Sequence, residues 1–560
     1  MFRSSRLAPA RWRRCLRLGA AVAMVALAMP VAPAGAAVFV PISGAGSTWS
    51  QNALDQWRRN VTQYGMQINY QGTGSSDGRN QFRNGTVDFA VSEIPYGLTD
   101  SGVVDYPPTR KYAYMPIVAG GTAFMYNLKI NGRRVTNLRL SGLTVTRMFT
   151  GEIKLWNDPA IKADNPGLRL PARRVVPVVR SDGSGTTAQF TLWMSKLYGS
   201  QWNGYCGRAG LPTPCGLTSE YPVIPGSGFT AQAGSLGVSG YVAQDRSEGA
   251  ITYVEYSYAL NAGFPIAKLL NKAGYYVEPN ANNVAVALLA AGINRDLTQQ
   301  LDGVYGNPDR RTYPLSSYSY MILPTALENG FSVDKGQTLS SFAYYFLCEG
   351  QQQAPLLGYS PLPINLVQAG LTQVRRIPGV NARTIDIAKC NNPTFTRTGQ
   401  NRLAQTAPFP PACDRQGGTQ CSTGTGGAKN TPTQNSAGGS SNSGNSGGSG
   451  GGGGAGSGGG GGPGAGGAGG PSGSPIASRP ASAPGRRTTT IDPDTGQAVT
   501  GTESQNGDGA QDVVADPVSI NSGVGDGLER VLMVLAGLLF VGLTIGPPLL
   551  SRLLGRRRSP

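Results

Sequence analysis

An α/β fold is predicted for the central part of the chain by three observations. Short β-branched and aromatic runs recur, amphipathic stretches of helical length separate them, and Gly/Ser/Thr clusters open those stretches. The strand-like runs are MQINY at 66–70, VDFAVS at 87–92, RVVPVVR at 174–180 and AITYVEY at 250–256. Each is rich in residues that fill a pleated, half-buried surface. The helix-like stretches are Ser50–Asn60, Gly78–Asn84, Thr187–Tyr198 and Gln337–Gly350. No fixed repeat period runs through the chain, so the pattern is that of packed α/β layers and not of a solenoid.

The flanks of this region read differently. Six arginines precede the apolar run from Leu18 to Ala32, which ends on Ala34-Gly35-Ala36. A basic head, an apolar middle and a small-residue end predict a secretory signal peptide over 1–36. Cys15 lies ahead of the apolar run, which leaves no cysteine placed at the cleavage site to carry a lipid. At the other end Val531–Leu550 carries no charge and matches the roughly 20 residues that cross a bilayer core. Arg552, Arg556, Arg557 and Arg558 follow it, so the positive-inside bias puts residues 551–560 in the cytoplasm and the folded part outside. From about Gly417 to Pro475 the sequence is a Gly/Ser/Asn/Ala tract that cannot bury enough apolar surface to offset its ordering entropy. Residues 422–529 are therefore expected as a disordered linker behind a cysteine-bracketed tail at 404–421.

Composition excludes several chemistries. The 560 residues include no histidine, which removes the Ser-His-Asp and Cys-His nucleophile arrangements and every histidine-ligated metal or haem site. The net charge of +17 is concentrated at the two ends, and no basic stripe with interleaved aromatics is present, so nucleic acid is not an expected partner. The six cysteines beyond the signal segment are expected to be disulfides in an oxidising compartment. Loop lengths suggest Cys206–Cys215, Cys348–Cys390 and Cys413–Cys421, with fifteen connectivities open. No CxxC or other metal-ligand spacing occurs, and no metal or cofactor is expected.

Three segments share one design, a Gly/Ser/Thr loop opening a helix: GAGSTWS at 44–50, GTGSSDG at 72–78 and RSDGSGTT at 180–187. Unpaired N–H groups and the positive end of a helix dipole make such loops candidate anion sites, although any one alone is ordinarily a turn with an N-cap. Arg180 adds a two-pronged donor beside Ser184, Gly185, Thr186 and Thr187, and Asp182 is placed to hold its guanidinium. Asp88, inside a strand pattern, reads as structural.

With these residues in view, the chain resembles the PstS family, the phosphate-binding proteins of bacterial phosphate ABC transporters. GAGST at 44–48, INYQGTGSSDGRNQFRNGTVDFAVSEIP at 68–95, GEIKLWNDPAIKADNPGLRLP at 151–171, RSDGSGTTAQFT at 180–191, GAITYVEYSYA at 249–259 and LGYSPLPINLVQ at 357–368 carry the resemblance. It implies a two-lobed, venus-flytrap receptor of the periplasmic-binding-protein type, with lobe 1 at 37–120 and 316–403 and lobe 2 at 121–315. The interlobe crossings would fall near Ile117–Asn127 and Tyr313–Pro324. Carried over position by position, it implies phosphate contacts at Thr48, Trp49, Ser75, Glu93, Arg180, Ser184, Gly185 and Thr186. Trp49 stands where the family has Phe, at a backbone N–H contact. Glu93 stands where the family has Asp, which keeps a carboxylate acceptor but moves it by about one carbon–carbon bond.

The expected function is capture of inorganic phosphate by a tethered receptor for delivery to separate ABC permease and ATPase subunits, since this chain has no Walker A loop and no second apolar span. A surface interaction or sensory role for the same fold, or a different oxyanion, stands as the alternative. An enzyme is not expected, because Ser184 lacks an evident base.

Overall fold

A computed structural model of the chain describes residues 39–396 and 398–433 and two short strands at 487–491 and 498–502. The signal segment at 1–36, the apolar span at 531–550, the basic tail at 551–560 and most of the expected linker lie outside the described residues. Among the described residues no helix is long and apolar enough to cross a membrane.

The chain enters through β1 (Ile42–Gly46), α1 (Gln51–Thr62), β2 (Ile68–Gln71), α2 (Ser75–Arg83) and β3 (Phe89–Ser92), with β1 parallel to both β2 and β3. The long strand β4 (Tyr112–Tyr126) follows. Next come β5 (Val176–Arg180), α3 (Gly185–Leu197), β6 (Thr230–Gln232), α4 (Gly234–Ala243), β7 (Ala250–Glu255) and β8 (Ile266–Leu270). The chain then returns through β9 (Ser316–Pro324), α5 (Val333–Leu347) and α6 (Ile364–Val374).

These strands form one sheet in the order β6-β5-β7-β4-β9-β3-β1-β2, with β8 also on β4. Nine of the first ten residues of β4 pair antiparallel with β9, from Tyr112↔Pro324 to Gly121↔Ser316, with Ile117 skipped at a bulge. Its last five, Thr122–Tyr126, pair antiparallel with β7. A strand covered on both faces reads as a continuous apolar run, and YAYMPIVAGGTAFMY is buried at every position after the first.

Two large hydrophobic cores flank this strand. One gathers Trp57, Phe82, Phe89, Met115, Tyr320, Phe342 and Phe346. The other gathers Phe124, Phe149, Trp156, Phe190, Trp193, Trp202 and Tyr253. The architecture is thus a two-lobed α/β fold in which β4 and β9 run between the lobes. At the passage stand Gly120 and Gly121, where a Cβ would lie 2.8 Å from the Trp49 ring and 2.4 Å from Pro279 Cβ. Only glycine lets the side chains of both lobes close over the strand there.

Three disulfides form, Cys206–Cys215, Cys348–Cys390 and Cys413–Cys421, in the pairing that loop length suggested. The tail beyond them departs from the composition-based reading. Residues 422–433, expected as the start of a disordered linker, are folded onto the second lobe. The buried Thr425 hydroxyl sits 2.9 Å from the Thr136 carbonyl, and Thr136 N donates to Thr433 Oγ1 at 2.8 Å. Threonine hydroxyls on main-chain groups here supply the order that the tract lacks in apolar side chains. Within the same expected linker, Arg487–Ile491 and Ala498–Thr502 pair as a two-stranded sheet.

The tail is also fastened by charge. Lys268 on β8 donates to both oxygens of Asp414 at 2.9 and 2.7 Å, and both side chains are buried. Removing one partner of a buried pair strands the other. Asp414→Ala is therefore expected to lower stability by about 3 kcal/mol, and Lys268→Met with Asp414→Leu to recover most of it. Urea unfolding of the three proteins measures both differences.

Candidate functional site

Each of the three Gly/Ser/Thr loops ends a strand and opens a helix, and the sheet order brings their ends to one place. The first loop follows β1. Ser47 Oγ donates to Glu93 Oε1 at 2.6 Å and accepts from Trp49 N at 3.0 Å. The second loop opens α2, whose first residue Ser75 donates from Oγ to Glu93 Oε2 at 2.9 Å. Glu93 follows β3 and is fully buried. A third hydroxyl, Ser319 Oγ on β9, donates to Oε1 at 2.7 Å.

The third loop arrives from the second lobe. Ser184 caps α3, its Oγ accepting from Thr187 N at 3.2 Å. Gly185 stands so close to the carboxylate that a Cβ there would lie 2.1 Å from Glu93 Oε2 and 2.5 Å from Ser75 Oγ. Gln189, one turn along α3, donates from Nε2 to the Glu93 main-chain oxygen at 2.8 Å. The first turn of α3, with its positive dipole end, thus abuts the carboxylate.

Arg180, at the end of β5, is buried and paired as expected with Asp182: Nε donates to Oδ1 at 2.7 Å and a terminal nitrogen to Oδ2. Asp182 Oδ1 also accepts from Gly234 N at 2.9 Å, at the start of α4. Burial works to raise its pKa, but the hydrogen bonds and charge of Arg180 hold it below the ordinary carboxylate range. Glu93 goes the other way. Burial pushes its pKa up, against the hydrogen bonds of Ser47, Ser319 and Ser75 and the charge of Arg180.

Of the sequence-predicted residues, Ser75, Glu93 and Gly185 are brought into direct contact. Thr48 and Trp49 point their side chains elsewhere. Thr48 Oγ1 lies 2.8 Å from Ser235 Oγ and accepts from Ser235 N at 3.1 Å, joining the first loop to α4 across the lobes. Trp49 packs its ring edge-on to Tyr359, leaving its N–H on the side of Ser47. Thr186 is buried in the first turn of α3 beside Gly185. A cavity of about 640 Å³, lined by Thr48, Tyr70, Gly72, Asp182 and Ser235 among others, opens beside the cluster.

Sequence reasoning missed Ser47 as a partner of Glu93, and Ser235 and Ser319 altogether. Ser47 lies within the GAGST motif, and Ser235 sits in another Gly/Ser helix opening, AGSLG, so a local signal existed for both. Ser319 is one serine of the strand SSYSY, 226 residues from Glu93, and only the β3–β9 pairing brings it near. Among the described residues no group of Cys, Asp or Glu side chains could hold a metal ion. The arrangement offers main-chain and hydroxyl donors, one guanidinium and one carboxylate, a set suited to binding a protonated oxyanion.

The chain is similar to proteins of a known family. The family described as a PBP superfamily domain matches residues 31–349. The phosphate-binding protein PstS of Xylella fastidiosa is 33% identical over 336 residues, which cover 59% of this chain and 83% of that protein. PstS of Pasteurella multocida is 30% identical over 331 residues, 58% of this chain and 88% of its own. The solved phosphate-binding protein of Stenotrophomonas maltophilia is 17% identical, covering 65% of this chain and 99% of that one, with a TM-score of 0.44.

The Arg180–Asp182 pair carries a test of its own. Asp182→Asn leaves a buried guanidinium without its counter-charge and is expected to cost about 3 kcal/mol at neutral pH. Because the folded-state pKa of Asp182 is depressed, its stabilisation is present above the unfolded value of about 3.9 and is lost as pH falls through the folded one. The stability gap between wild type and variant, followed by thermal unfolding, should therefore narrow as the solution is taken below about pH 4.

Proposed function

This chain belongs to the PstS family of phosphate-binding proteins within the PBP superfamily, and from that membership we propose that it captures inorganic phosphate between its lobes. The observation that carries the reading is the convergence of Ser47, Ser75 and Gly185, one residue from each Gly/Ser/Thr loop, on the single carboxylate of Glu93. Phosphate would take N–H groups at the starts of α1, α2 and α3, Ser75 through its main-chain N–H, the Ser184 and Thr186 hydroxyls, the Thr48 and Trp49 segment, and the guanidinium of Arg180. Asp182 acts through Arg180 by fixing its orientation.

Selectivity rests on lone pairs. A carboxylate has about four acceptor sites. Three serine hydroxyls use three of those on Glu93, two on Oε1 and one on Oε2. The remaining site is on Oε2, the oxygen beside Gly185. Phosphate at neutral pH still carries a proton that can be donated there, whereas sulfate has none and would face the oxygen lone pair to lone pair. The extra methylene of Glu93 relative to the family's Asp is accommodated by the three-serine clamp, which fixes both oxygens.

The receptor reading extends to the rest of the chain: residues 1–36 direct export, 531–550 anchor the protein with its folded part outside, and separate ABC permease and ATPase subunits accept the anion. Binding and release without bond cleavage is the whole reaction, so the protein acts as a receptor and not as an enzyme.

Calorimetry on protein freed of carried-over ligand tests the core of the proposal. Phosphate should bind, sulfate should bind weaker by as much as ~10⁴, and the absence of phosphate heat at millimolar concentration would refute it. Gly185→Ala should abolish phosphate binding while leaving the fold intact by circular dichroism. Because burial raises the Glu93 pKa, the group is an acceptor above that value and a donor below it. Discrimination against sulfate should therefore erode as pH falls through it, and a Glu93→Gln variant should discriminate poorly at every pH.

A further inference from the structure

A hairpin between β3 and β4 reaches from one lobe to the other. Its strands Thr99–Asp100 and Val103–Val104 pair antiparallel, and both turn residues lie in the left-handed region, Ser101 at φ 54° and Gly102 at φ 84°, the pattern of a type I′ turn. The base of the hairpin is fixed on the first lobe. Arg79 and Arg83 of α2 both pair with Asp105, Arg79 at 2.9 Å, and Gly97 N donates to the Asp105 carbonyl at 2.6 Å.

The tip rests on the second lobe. Ser101 N donates to the Leu217 carbonyl at 3.1 Å, and Ser219 N donates to Asp100 Oδ1 at 2.7 Å. A serine at positive φ carries a strain that glycine would not, and here its N–H is one of the groups that cross between lobes. The segment it meets is itself held in place. Cys215 is bonded to Cys206, Trp202 Nε1 donates to the Gly216 carbonyl at 2.8 Å, and Thr218 N donates to Thr191 Oγ1 at 3.0 Å.

Ser219, which is buried, gathers three of these connections. Besides the bond from its N–H to Asp100, its carbonyl accepts from Ser184 N at 2.9 Å and its Oγ accepts from Ser76 Oγ at 3.0 Å. One residue thus ties the hairpin to the second residue of α2 and to the cap of α3, which belong to two of the three anion loops. Beside it Leu217 packs with Ile94 of the first lobe and Ala188 of the second.

We propose that this hairpin is a clasp, in which Asp100 is a positioning residue that acts through Ser219 to hold the lobes shut over the anion and so sets how slowly the anion leaves. The proposal rests on the phosphate-capture reading and adds to it a residue outside the predicted ligand contacts. A carboxylate accepting a main-chain N–H makes a charge-assisted bond, about twice as strong as a neutral one. When the lobes part, Asp100, Ser101 N and Ser219 N all turn to water, so these bonds belong to the closed arrangement alone. The anion enters before they form, and their loss is therefore read in release and not in association.

The test follows phosphate association and release by stopped-flow tryptophan fluorescence of the full-length protein, with Trp49 beside the first loop as reporter. Asp100→Ala should raise koff about tenfold, the loss of one charge-assisted hydrogen bond, and leave kon within about twofold of wild type. Asp100→Asn, which keeps an acceptor oxygen without the charge, should raise koff by less, and it decides the matter alone if the alanine variant misfolds by circular dichroism. Val103→Ser, at an exposed position of the same hairpin, should leave both rates unchanged. The clasp is overturned if wild type binds phosphate and the Asp100 variants release it at the wild-type rate, or if Val103→Ser speeds release as much as Asp100→Ala. Wild type that binds no phosphate overturns the capture reading, and the clasp with it.

Discussion

A carboxylate removed from water and given back three hydroxyl groups is the constraint around which the candidate site is built. Glu93 has no exposure, and a charge in that position survives only if its acceptor sites are answered. The answers come from three separate elements: Ser47 beyond β1, Ser75 at the start of α2 and Ser319 on β9. Satisfying one side chain therefore fixes the relative position of three parts of the first lobe. The second lobe is then seated against the result, with Gly185 close enough that no side chain could intervene and Gln189 bonded to the same residue's main chain.

The same economy appears in the passage between lobes. β4 belongs to both cores, pairing first with β9 and then with β7, so the lobes share continuous main chain in place of a loose linker. Glycines at 120 and 121 remove side chains at the point where Trp49, Pro279 and Tyr313 close in. Thr48 bonded to Ser235, and the Tyr258 hydroxyl donating to the Thr48 carbonyl at 2.5 Å, add polar stitches across the seam. A seam made of hydroxyls exchanges its bonds with water at little net cost, unlike one made of buried apolar surface.

What could be read from the sequence follows how local each signal is. The loops at 44–50, 72–78 and 180–187 announce themselves because glycine and hydroxyl residues ahead of a helix have a local reason to be there. Their convergence was supplied by family resemblance, since nothing in the spacing of Ser75 and Gly185 says that they touch. The sequence reading starts two helices late, at Gly78 and Thr187 against Ser75 and Gly185, because the Gly/Ser/Thr residues ahead of them suit a loop as well as a first turn. In the folded chain both glycines are inside helices for reasons of contact: a Cβ at 78 would lie 2.3 Å from Gly46 Cα, and one at 185 would strike Glu93. Ser319 and the docked threonines at 425 and 433 were illegible, for their partners lie hundreds of residues away or in another lobe. Composition alone misjudged residues 422–433, because it counts apolar surface and not hydroxyls that meet carbonyls.

The placement of β9 between β3 and β4 bears on the order in which the polypeptide can be assembled. Most of the second lobe is encoded between β4 and β9, so a nascent chain holds β3 and the first part of β4 as bare edges until residue 316 has been made. Through that interval the apolar stretch Tyr112–Gly121 of β4 lacks its neighbour, and one of the hydroxyls needed by Glu93 does not yet exist. Such an intermediate invites pairing with another copy of itself. Synthesis of this protein therefore places a demand on whatever shields unfinished chains, one set by topology and independent of how stable the finished molecule is.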